Sequence, residues 1–410
     1  MKILIISQYY YPEQFQINEI APELVRRGHE VTVLCGLPNY PQGSIFEGYE
    51  NQNSVASKER EYFAATGVKV VHVKQIMRGN NPFTLVGNYF SFVRNSKKMV
   101  RRLDNDFDII LGYQLSPITS MEAAVEYKRL HGTPLVFYTL DIWPASAQSI
   151  LRSDKNPLMI PIKRISKRIY QSADKIIVTS RPFMDYLHQV NKIPLDRMSY
   201  LPQHAETDMI YMNLCAKENG IADFLFAGNI GKGQRVDVII EAAKLLGRRK
   251  DYKIHIVGDG SMRQNLEKLV CSLGLSDNVL FYGNQKREVM PHFYQIADAL
   301  LITLRGNNEV GDTMPGKLQM YMTTGKPILG AINGAAHEVI KDAKCGMCVD
   351  AGDSRGLAEL MQLYIEHPNH FVECGQNARN YFKRHFTLER YMDGLEMELN
   401  ALIKKGKHNI

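Results

Sequence analysis

The stretch FLFAGNIGKGQRV, residues 224–236, joins a short apolar run to a turn with three glycines and the start of an amphipathic segment. The apolar run predicts a buried β-strand, and the periodic residues from Val236 onward predict an α-helix. A glycine turn in this position exposes backbone N–H groups at the positive end of the helix dipole, which suits an anionic phosphate. The alternative is a plain tight turn. The stretch predicts one strand–turn–helix unit of an α/β sheet.

Similar units recur along most of the chain. Predicted strands of the first half are residues 2–6, 29–34, 68–73, 107–111, 134–140 and 175–180. Those of the second half are residues 224–228, 252–258, 278–283, 299–304, 326–331 and 346–350. Continuous apolar strands separated by helices are typical of parallel sheets covered on both faces. The fold class predicted is therefore α/β, with two consecutive Rossmann-like, doubly wound domains.

The segment SYLPQHAETD, residues 199–208, has little periodicity and is interpreted as the linker. The predicted domains are an N-terminal one over residues 1–202, a C-terminal one over 203–385, and a C-terminal helix over 386–410 that is expected to return to the first domain. Strand carboxyl ends of both sheets are expected to face a cleft between the domains.

Composition excludes several functional classes. The chain has 410 residues, of which 45% are hydrophobic, and a net charge of +7. No apolar run approaches the roughly 20 residues that span a bilayer, and the N-terminal MKILIIS predicts a strand rather than a signal peptide. Six irregularly placed cysteines predict no disulfide framework, and the lone pair Cys345 and Cys348 predicts no metal site. Without zinc-finger spacing or an aromatic RNA-binding signature, we expect no nucleic-acid partner.

Basic and glycine-rich residues follow several predicted strands of the second half. Val257-Gly258-Asp259-Gly260 forms a second glycine turn, and Arg305 follows the strand at residues 299–304. Lys317 lies in the first turn of a predicted helix, where a cation opposes the helix dipole. For Arg305 the alternative is a solvated loop residue, and for Lys317 a surface charge. Their convergence at one sheet edge favours a nucleotide diphosphate site.

The order of these motifs resembles a known family. GHEVTVL (28–34), AGNIGKGQRVDVIIEAA (227–243), IHIVGDGSMRQNLEKL (254–269) and PGKLQMYMTTGKPI (315–328) follow one another as in GT-B glycosyltransferases of the retaining group called family four. YYYPEQ (9–14), GLPNYPQGSIFEGY (36–49) and LDIWPAS (140–146) resemble a narrower bacterial branch. That branch builds O-antigens and capsules and includes proposed transferases of N-acetyl-L-fucosamine and related amino sugars.

The resemblance implies a nucleotide-sugar donor, most commonly UDP-linked, in the C-terminal domain and an acceptor in the N-terminal one. It implies transfer with retention of configuration, without a bound metal or cofactor. Arg305, Lys317 and the amides of residues 228–231 are candidates for stabilising the leaving diphosphate, and residues 284–287 for reading the base. The predicted donor-site residues are Gly228, Asn229, Gly231, Lys232, Gln234, Asp259, Asn284, Arg305, Glu309, Thr313, Pro315, Gly316 and Gln319, with Asp141, Asp312 and Lys317 as catalytic candidates.

Some positions depart from the family pattern. Many members carry Glu-x7-Glu, whose ribose-binding second Glu falls at Met320 and whose first falls at Asp312, with Glu309 as a competitor. We expect Gln319, backbone or water to contact the ribose. Two usually basic positions of the glycine turn hold Asn229 and Gln234, with Lys232 and Arg235 adjacent.

The N-terminal cleft strand also departs from the pattern. Leu140 replaces the usual His, but Asp141 remains. Asp141 is expected to orient an acceptor hydroxyl or take its proton, or alternatively to cap the following helix. Trp143 is expected to stack on a sugar or to pack at the domain edge.

Two basic segments predict contact with an anionic membrane surface. Within residues 156–171, Ile162, Ile165 and Ile169 share one helical face, and the other faces carry Lys163, Arg164, Lys167 and Arg168. A second cluster comprises Lys97, Lys98, Arg101 and Arg102. Each basic residue near anionic lipid contributes about 1 kcal/mol. The resemblance adds a polyprenyl diphosphate-linked saccharide acceptor, and so a cytoplasmic location, peripheral on the inner face of the membrane. The alternative is a helix packed on its sheet with a solvated outer face.

Two other functions fit the same sequence. One is a sugar-nucleotide epimerase of this fold, which needs no acceptor. The other is a non-catalytic subunit of a polysaccharide assembly complex, favoured by the missing Glu at Met320 and the missing His at Leu140.

Overall fold

A computed structural model describes residues 1–41, 43–79, 81–147, 156–205, 220–306 and 314–408 of the chain. Two compact units are present. Unit 1 contains Met1–Leu201 together with the chain from Met392 onward, and unit 2 contains Pro202–Tyr391. The candidates Glu309, Asp312 and Thr313 lie outside the described residues.

Unit 1 is built on a seven-stranded parallel sheet with the order β3-β2-β1-β4-β5-β6-β7. Its strands are β1 (Lys2–Ile6), β2 (Glu30–Gly36), β3 (Lys69–Val73), β4 (Ile109–Gln114), β5 (Leu135–Thr139), β6 (Lys175–Val178) and β7 (Met198–Tyr200). Its helices are α1 (Ile17–Arg26), α2 (Gln52–Thr66), α3 (Pro82–Val100), α4 (Glu122–His131), α5 (Met159–Ser172) and α6 (Pro182–Asn191). Residues 199 and 200 belong to β7 and pair with β6, although the sequence pattern placed them at the start of the linker, because a three-residue strand is too short to show a period.

The strand order explains how the helices are distributed in unit 1. The order proceeds from β1 through β2 to β3 and then reverses at β4. Because crossovers between parallel strands are right-handed, α1 and α2 lie on one face of the sheet and α3 to α6 on the other. Both faces are thus covered, which is why every residue of β4 is buried.

Unit 2 repeats the architecture with a six-stranded parallel sheet of order β10-β9-β8-β11-β12-β13. Its strands are β8 (Ala222–Ala227), β9 (Tyr252–Val257), β10 (Val279–Gly283), β11 (Ala299–Thr303), β12 (Ile328–Ala331) and β13 (Gly346–Val349). Its helices are α7 (Val236–Leu246), α8 (Arg263–Ser272), α9 (Met290–Ile296), α10 (Gly316–Thr324), α11 (Gly334–Ala343), α12 (Ser354–Glu366) and α13 (Val372–His385). Two apolar clusters pack on the sheet of unit 2, so the predicted pair of doubly wound α/β sheets is confirmed.

The last helix, α14 (Leu388–His408), ends against unit 1. Arg27, which follows α1, donates from Nη1 to Glu396 Oε2 at 2.7 Å and to Asp393 Oδ1 at 2.7 Å. Lys175 of β6 lies 3.6 Å from Glu398. Among the helices that the structure describes, none has the length and apolar character needed to cross a bilayer.

Candidate functional site

The turns that follow β8 and β9 pack backbone against backbone. The N–H of Gly228 donates to the Val257 carbonyl at 2.9 Å, and the N–H of Ile230 donates to the Asp259 carbonyl at 2.8 Å. A Cβ at Gly258 would lie 1.9 Å from the Gly228 carbonyl oxygen, and its φ of +135° disfavours any side chain. Glycine is therefore required at residue 258, because the two turns approach too closely for a methyl group.

A cavity of about 540 Å³ opens at this edge of the unit 2 sheet. Its lining includes Gly228 and Asn229 after β8, Gly258 and Asp259 after β9, and Asn284 after β10. Three predicted elements, the two glycine turns and the base-reading loop, thus meet around one space. Strand carboxyl ends of a parallel sheet are where such folds bind ligands.

Lys317, in the first turn of α10, directs a buried ammonium group toward the same turn. Within the part of the chain that the structure describes, its Nζ has no hydrogen-bond partner, and it lies 3.9 Å from the ring centroid of Phe226. A Cβ built on Gly228 would lie only 3.1 Å from this Nζ. Burial lowers the pKa of Lys317 to about 7, because an unpaired ammonium is costly away from water.

The start of α10 lies beside that lysine. Its N-cap residue is Pro315, and among the described residues no side chain accepts a hydrogen bond from the first turn. Gly316 is exposed, and no atom of the described residues lies within 4 Å of a Cβ built there. Backbone N–H groups and a cation at one helix start are a combination that suits an anion.

Other predicted donor-site residues lie at this edge with differing availability. Arg305 and Lys232 are exposed, and the Arg305 N–H donates to the Gly233 carbonyl at 2.9 Å. The Oε1 atom of Gln234 is buried, and no residue that the structure describes forms a hydrogen bond with it. Gly231 has ordinary extended backbone before the short 3-10 turn that leads to α7.

Several polar side chains are already engaged elsewhere. Gln319 is buried and donates from Nε2 to the Gln203 carbonyl at 2.6 Å, so its amide nitrogen is in use. Arg235 pairs with Asp237 at 2.8 Å. Asp259 accepts from the Gly260 N–H at 2.7 Å and from Arg263 at 3.1 Å.

Met320 occupies the position of the family's ribose-binding Glu. It is partly buried and packs against one of the apolar clusters of unit 2. This packing gives the residue a structural role that a carboxylate could not take.

In unit 1, Asp141 follows β5 at the corresponding sheet edge. Its Oδ1 accepts a hydrogen bond from Ser146 Oγ. Trp143 packs against the unit 1 core and donates from Nε1 to Ser116 Oγ at 3.1 Å. Its ring is thus held by packing, and the carboxylate is oriented by Ser146.

Sequence reasoning missed Glu13 and Arg78 at this edge. The Glu13 carboxylate is buried and accepts the backbone N–H groups of Asn39 at 2.8 Å, Tyr40 at 2.7 Å and Tyr10 at 3.2 Å. It therefore connects the loops after β1 and β2, and burial raises its pKa to about 7. The only signal was a carboxylate within an aromatic loop, because its partners lie far along the chain.

The two basic segments of unit 1 lie close together. Glu122, at the start of α4, pairs with Arg168 of α5 and lies 3.9 Å from Lys97 of α3. The buried residues of α5 are Met159, Ser166, Ile169 and Tyr170. Of the three isoleucines predicted to share one helical face, Ile169 is buried and Ile165 is exposed, so that only part of this face packs on unit 1.

Exposed apolar side chains lie in the N-terminal halves of the same two helices or directly before them. On α3, Phe83 is 88% exposed and Phe90 is 68% exposed. Leu158 and Ile160, at the start of α5, are 58% and 57% exposed. Apolar residues of this size, exposed beside basic helix faces, indicate an interaction surface.

Comparisons with known proteins agree with this architecture. The model described as "Glycosyltransferase Family 4" matches residues 15–208, and the one described as "Glycosyl transferases group 1" matches residues 216–381. The chain is 26% identical to N-acetyl-alpha-D-glucosaminyl L-malate synthase of Bacillus anthracis, over 95% of this chain and 94% of that protein. It is 24% identical to the putative colanic acid biosynthesis glycosyl transferase WcaI of Escherichia coli, over 79% of this chain and 82% of that one. One further curated relative is matched over only 58% of its own length.

Solved structures show the same fold. The crystal structure of HepE from Anabaena in complex with UDP superposes with a TM-score of 0.70 at 15% identity, over 98% of this chain and all of that one. At that identity the likeness establishes the GT-B fold and not the substrate.

Proposed function

Because glycosyltransferase models match both units of this chain, we propose that it is a retaining glycosyltransferase that moves a sugar from a UDP-sugar to a lipid-linked saccharide. The sugar proposed is an N-acetylated amino or deoxyamino sugar, and the pathway is bacterial surface polysaccharide synthesis. The observation that carries the proposal is the buried Lys317 ammonium, which has no hydrogen-bond partner among the described residues and lies beside two glycine turns at the start of a helix.

Lys317 is proposed to stabilise the diphosphate that leaves when the bond to the sugar breaks. A diphosphate beside Nζ would raise the lysine pKa again, because an opposite charge favours the protonated form. Charge on the leaving group grows as the bond breaks, so the contact is stronger in the transition state than before it. Amides of the glycine turn and of Gly316 add donors that need no reorganisation.

Asp141 is proposed to act on the acceptor hydroxyl. Ser146 donates to one carboxylate oxygen, which leaves the other oxygen to accept from the attacking hydroxyl. The same hydrogen bond also suits a purely structural turn, so a substitution is needed to separate the two roles.

A transfer assay tests the proposal. Purified protein is incubated with a panel of UDP-sugars and short polyprenyl diphosphate-linked saccharides, and products are followed by mass spectrometry. Transfer from at least one donor with retained anomeric configuration is expected. Folded protein that transfers nothing from any donor would refute the proposal.

The alternatives predict different outcomes in that assay. An epimerase would produce isomerised UDP-sugar without an acceptor. A non-catalytic subunit would keep the polysaccharide output of cells when Asp141→Asn or Lys317→Ala replaces the wild type. A transferase instead loses activity in both variants, by about 10²–10⁴-fold if Asp141 serves as general base.

We further propose that unit 1 rests on an anionic membrane through α3 and α5. Lys97 and Arg168 converge at Glu122, and the exposed Phe83, Phe90 and Ile160 precede the basic residues along these helices. Both helices begin at the carboxyl edge of the sheet, where the acceptor would bind. Aromatic side chains at the interface and basic residues facing lipid head groups are the usual means of such association.

Vesicle sedimentation tests the membrane surface. Wild-type protein is expected to bind vesicles with phosphatidylglycerol and to be released by salt. The double variant Phe83→Ser/Phe90→Ser should reduce binding about 10-fold or more. Phe63→Ser is the control, since Phe63 is 54% exposed on α2 at the other face of the sheet. Equal losses in both variants would contradict the assignment to α3.

A further inference from the structure

Arg78, in the segment after β3, lies in a cage of three tyrosines. Its Nη1 donates to the Tyr9 hydroxyl at 2.7 Å. The guanidinium carbon is 6.0, 5.0 and 5.8 Å from the ring centroids of Tyr9, Tyr40 and Tyr89. These rings belong to the segments after β1 and β2 and to α3, so three distant parts of the chain surround one cation.

No carboxylate forms an ion pair with Arg78 within the residues that the structure describes. The charge of Arg78 lowers the pKa of Glu13 slightly against the effect of burial, but the Glu13 oxygens already accept three backbone N–H groups. Tyrosine hydroxyls satisfy only part of the guanidinium donor set, which has more donors than any other side chain. The half-buried cation therefore retains donors with no acceptor among the described residues.

The cage is held in place by the backbone around it. The N–H of Arg78 donates to Asn39 Oδ1 at 2.9 Å. Glu13 bonds to the N–H groups of Asn39 and Tyr40, and stacking of Tyr9 on Phe15 at 5.4 Å fixes a further ring. A guanidinium fixed in this way loses little conformational entropy when an anion binds.

The position of the cage relates it to the predicted acceptor side. Its segments follow β1, β2 and β3, and parallel strands bring those carboxyl ends to the edge that also carries Asp141. Tyr89 contacts Arg78 and is also within electrostatic range of the Asp141 carboxylate. An anion at Arg78 would consequently lie in the neighbourhood of the proposed acceptor hydroxyl.

We propose that Arg78 and its tyrosine cage bind phosphate oxygens of the acceptor. A planar guanidinium matches two phosphate oxygens, and tyrosine hydroxyls supply neutral donors around them. The assignment of this phosphate to an acceptor rests on the proposed transferase function, whereas the presence of a phosphate site at Arg78 does not. The phosphate can belong to a lipid-linked saccharide or to a soluble sugar phosphate, since both present the same oxygens.

Direct binding tests the site without turnover. The donor site is first saturated with UDP, and inorganic diphosphate is then titrated calorimetrically. Wild-type protein should show one further anion site, Arg78→Lys should weaken it about 10-fold, and Arg78→Met should abolish it. Arg60→Met is the matched control, because Arg60 is exposed on α2. Titration with a dicarboxylate should give no comparable binding. Unchanged diphosphate binding in Arg78→Met would overturn the proposal.

Kinetics separates recognition from a structural role. Arg78→Met should raise the KM for a phosphate-bearing acceptor about 10- to 100-fold and leave the KM for the donor unchanged. The same variant should act normally on an acceptor without phosphate. Comparing lipid-linked with soluble sugar phosphates identifies the source of the phosphate. An equal loss with both phosphate-bearing and phosphate-free acceptors would mean that Arg78 only orders the loops.

A further variant and the calorimetric titration distinguish failure of the phosphate site from failure of the transferase proposal. Tyr9→Phe removes the hydroxyl that orients Arg78, and it should weaken diphosphate binding less than Arg78→Met does. If the wild type transfers to no acceptor at all, the transferase proposal fails, but the calorimetric titration still decides whether Arg78 binds phosphate.

Discussion

The carboxyl edges of the two sheets are formed by different kinds of chemical group. In unit 2 the edge is mainly backbone, with glycine turns after β8 and β9 in van der Waals contact and one buried lysine that has no hydrogen-bond partner among the described residues. In unit 1 the edge is mainly side chains, with Tyr9, Glu13 and Arg78 bonded to each other or to neighbouring loops. Both edges present a cation, and within the described residues the unit 1 cation has a hydrogen bond whereas the unit 2 cation has none.

This difference would prepare the two proposed anion sites in two ways. The Lys317 ammonium is unfavourable in the free protein, since burial lowers its pKa to about 7. The tyrosine cage stabilises Arg78 through its rings, so that cation is tolerated without a bound anion. Removing the Lys317 charge should therefore not lower the free energy of unfolding, whereas removing the Arg78 charge should lower it.

The largest effect is expected for Gly258→Ala. The new methyl group would lie 1.9 Å from the Gly228 carbonyl oxygen at a φ of +135°. We expect the free energy of unfolding to fall by about 3–5 kcal/mol and UDP binding to be lost, because the two turns must separate. Urea unfolding and calorimetry measure both. Gly233→Ala is the control, as nothing lies within 4 Å of a Cβ there. Similar unfolding midpoints for the two variants would refute the close approach.

Lys317→Met should separate binding from stability. We expect UDP affinity to fall about 100-fold, the effect of losing a charged hydrogen bond to phosphate. The free energy of unfolding should stay constant or rise, because methionine needs no desolvation of an ammonium. Lys268→Met, at an exposed position of α8, should change neither quantity. Loss of stability with intact UDP affinity would assign Lys317 a structural role.

The pH dependence of UDP binding also tests whether Lys317 contacts the diphosphate. The folded pKa of Lys317 is about 7, below its ordinary value of 10.5. Bound diphosphate raises it, so binding takes up a proton and affinity should fall as pH rises from about 7 to about 9, by up to about 10-fold per pH unit. Calorimetry in two buffers of different ionisation enthalpy measures the uptake. A flat profile in the wild type would contradict this, and Lys317→Met should be flat.

A smaller effect is expected for Glu13→Gln in unit 1. The folded pKa of Glu13 is about 7, above its ordinary value of 4.5. Between these two pH values the folded state binds more protons than the unfolded state. The stabilisation that protonated Glu13 gives the folded state is therefore complete below about pH 4.5 and is lost by about pH 7. Over that pH range the free energy of unfolding should fall by about 1–3 kcal/mol less in the variant than in the wild type. Equal slopes for variant and wild type would show that Glu13 titrates normally.

Much of unit 2 was predictable from its sequence. Each of the two glycine turns follows a short apolar strand, β8 or β9, and Lys317 lies at the start of the helical segment α10. Local sequence patterns predict such strands and helices. Their convergence follows from the parallel sheet. Gln319 was less predictable, because its bond to the Gln203 carbonyl joins residues far apart in the chain.

By itself, the sequence determined the two doubly wound sheets, since alternating apolar strands and amphipathic helices satisfy the backbone and bury apolar surface in only a few ways. It also determined that two glycine turns lie at one sheet edge. Only the tertiary structure decided which polar groups have partners: it left Lys317 with no hydrogen-bond partner among the described residues, paired Arg235 with Asp237, and closed three tyrosines around Arg78. The physical reason is that burial and hydrogen bonding depend on residues distant in sequence, whereas periodicity depends on near neighbours.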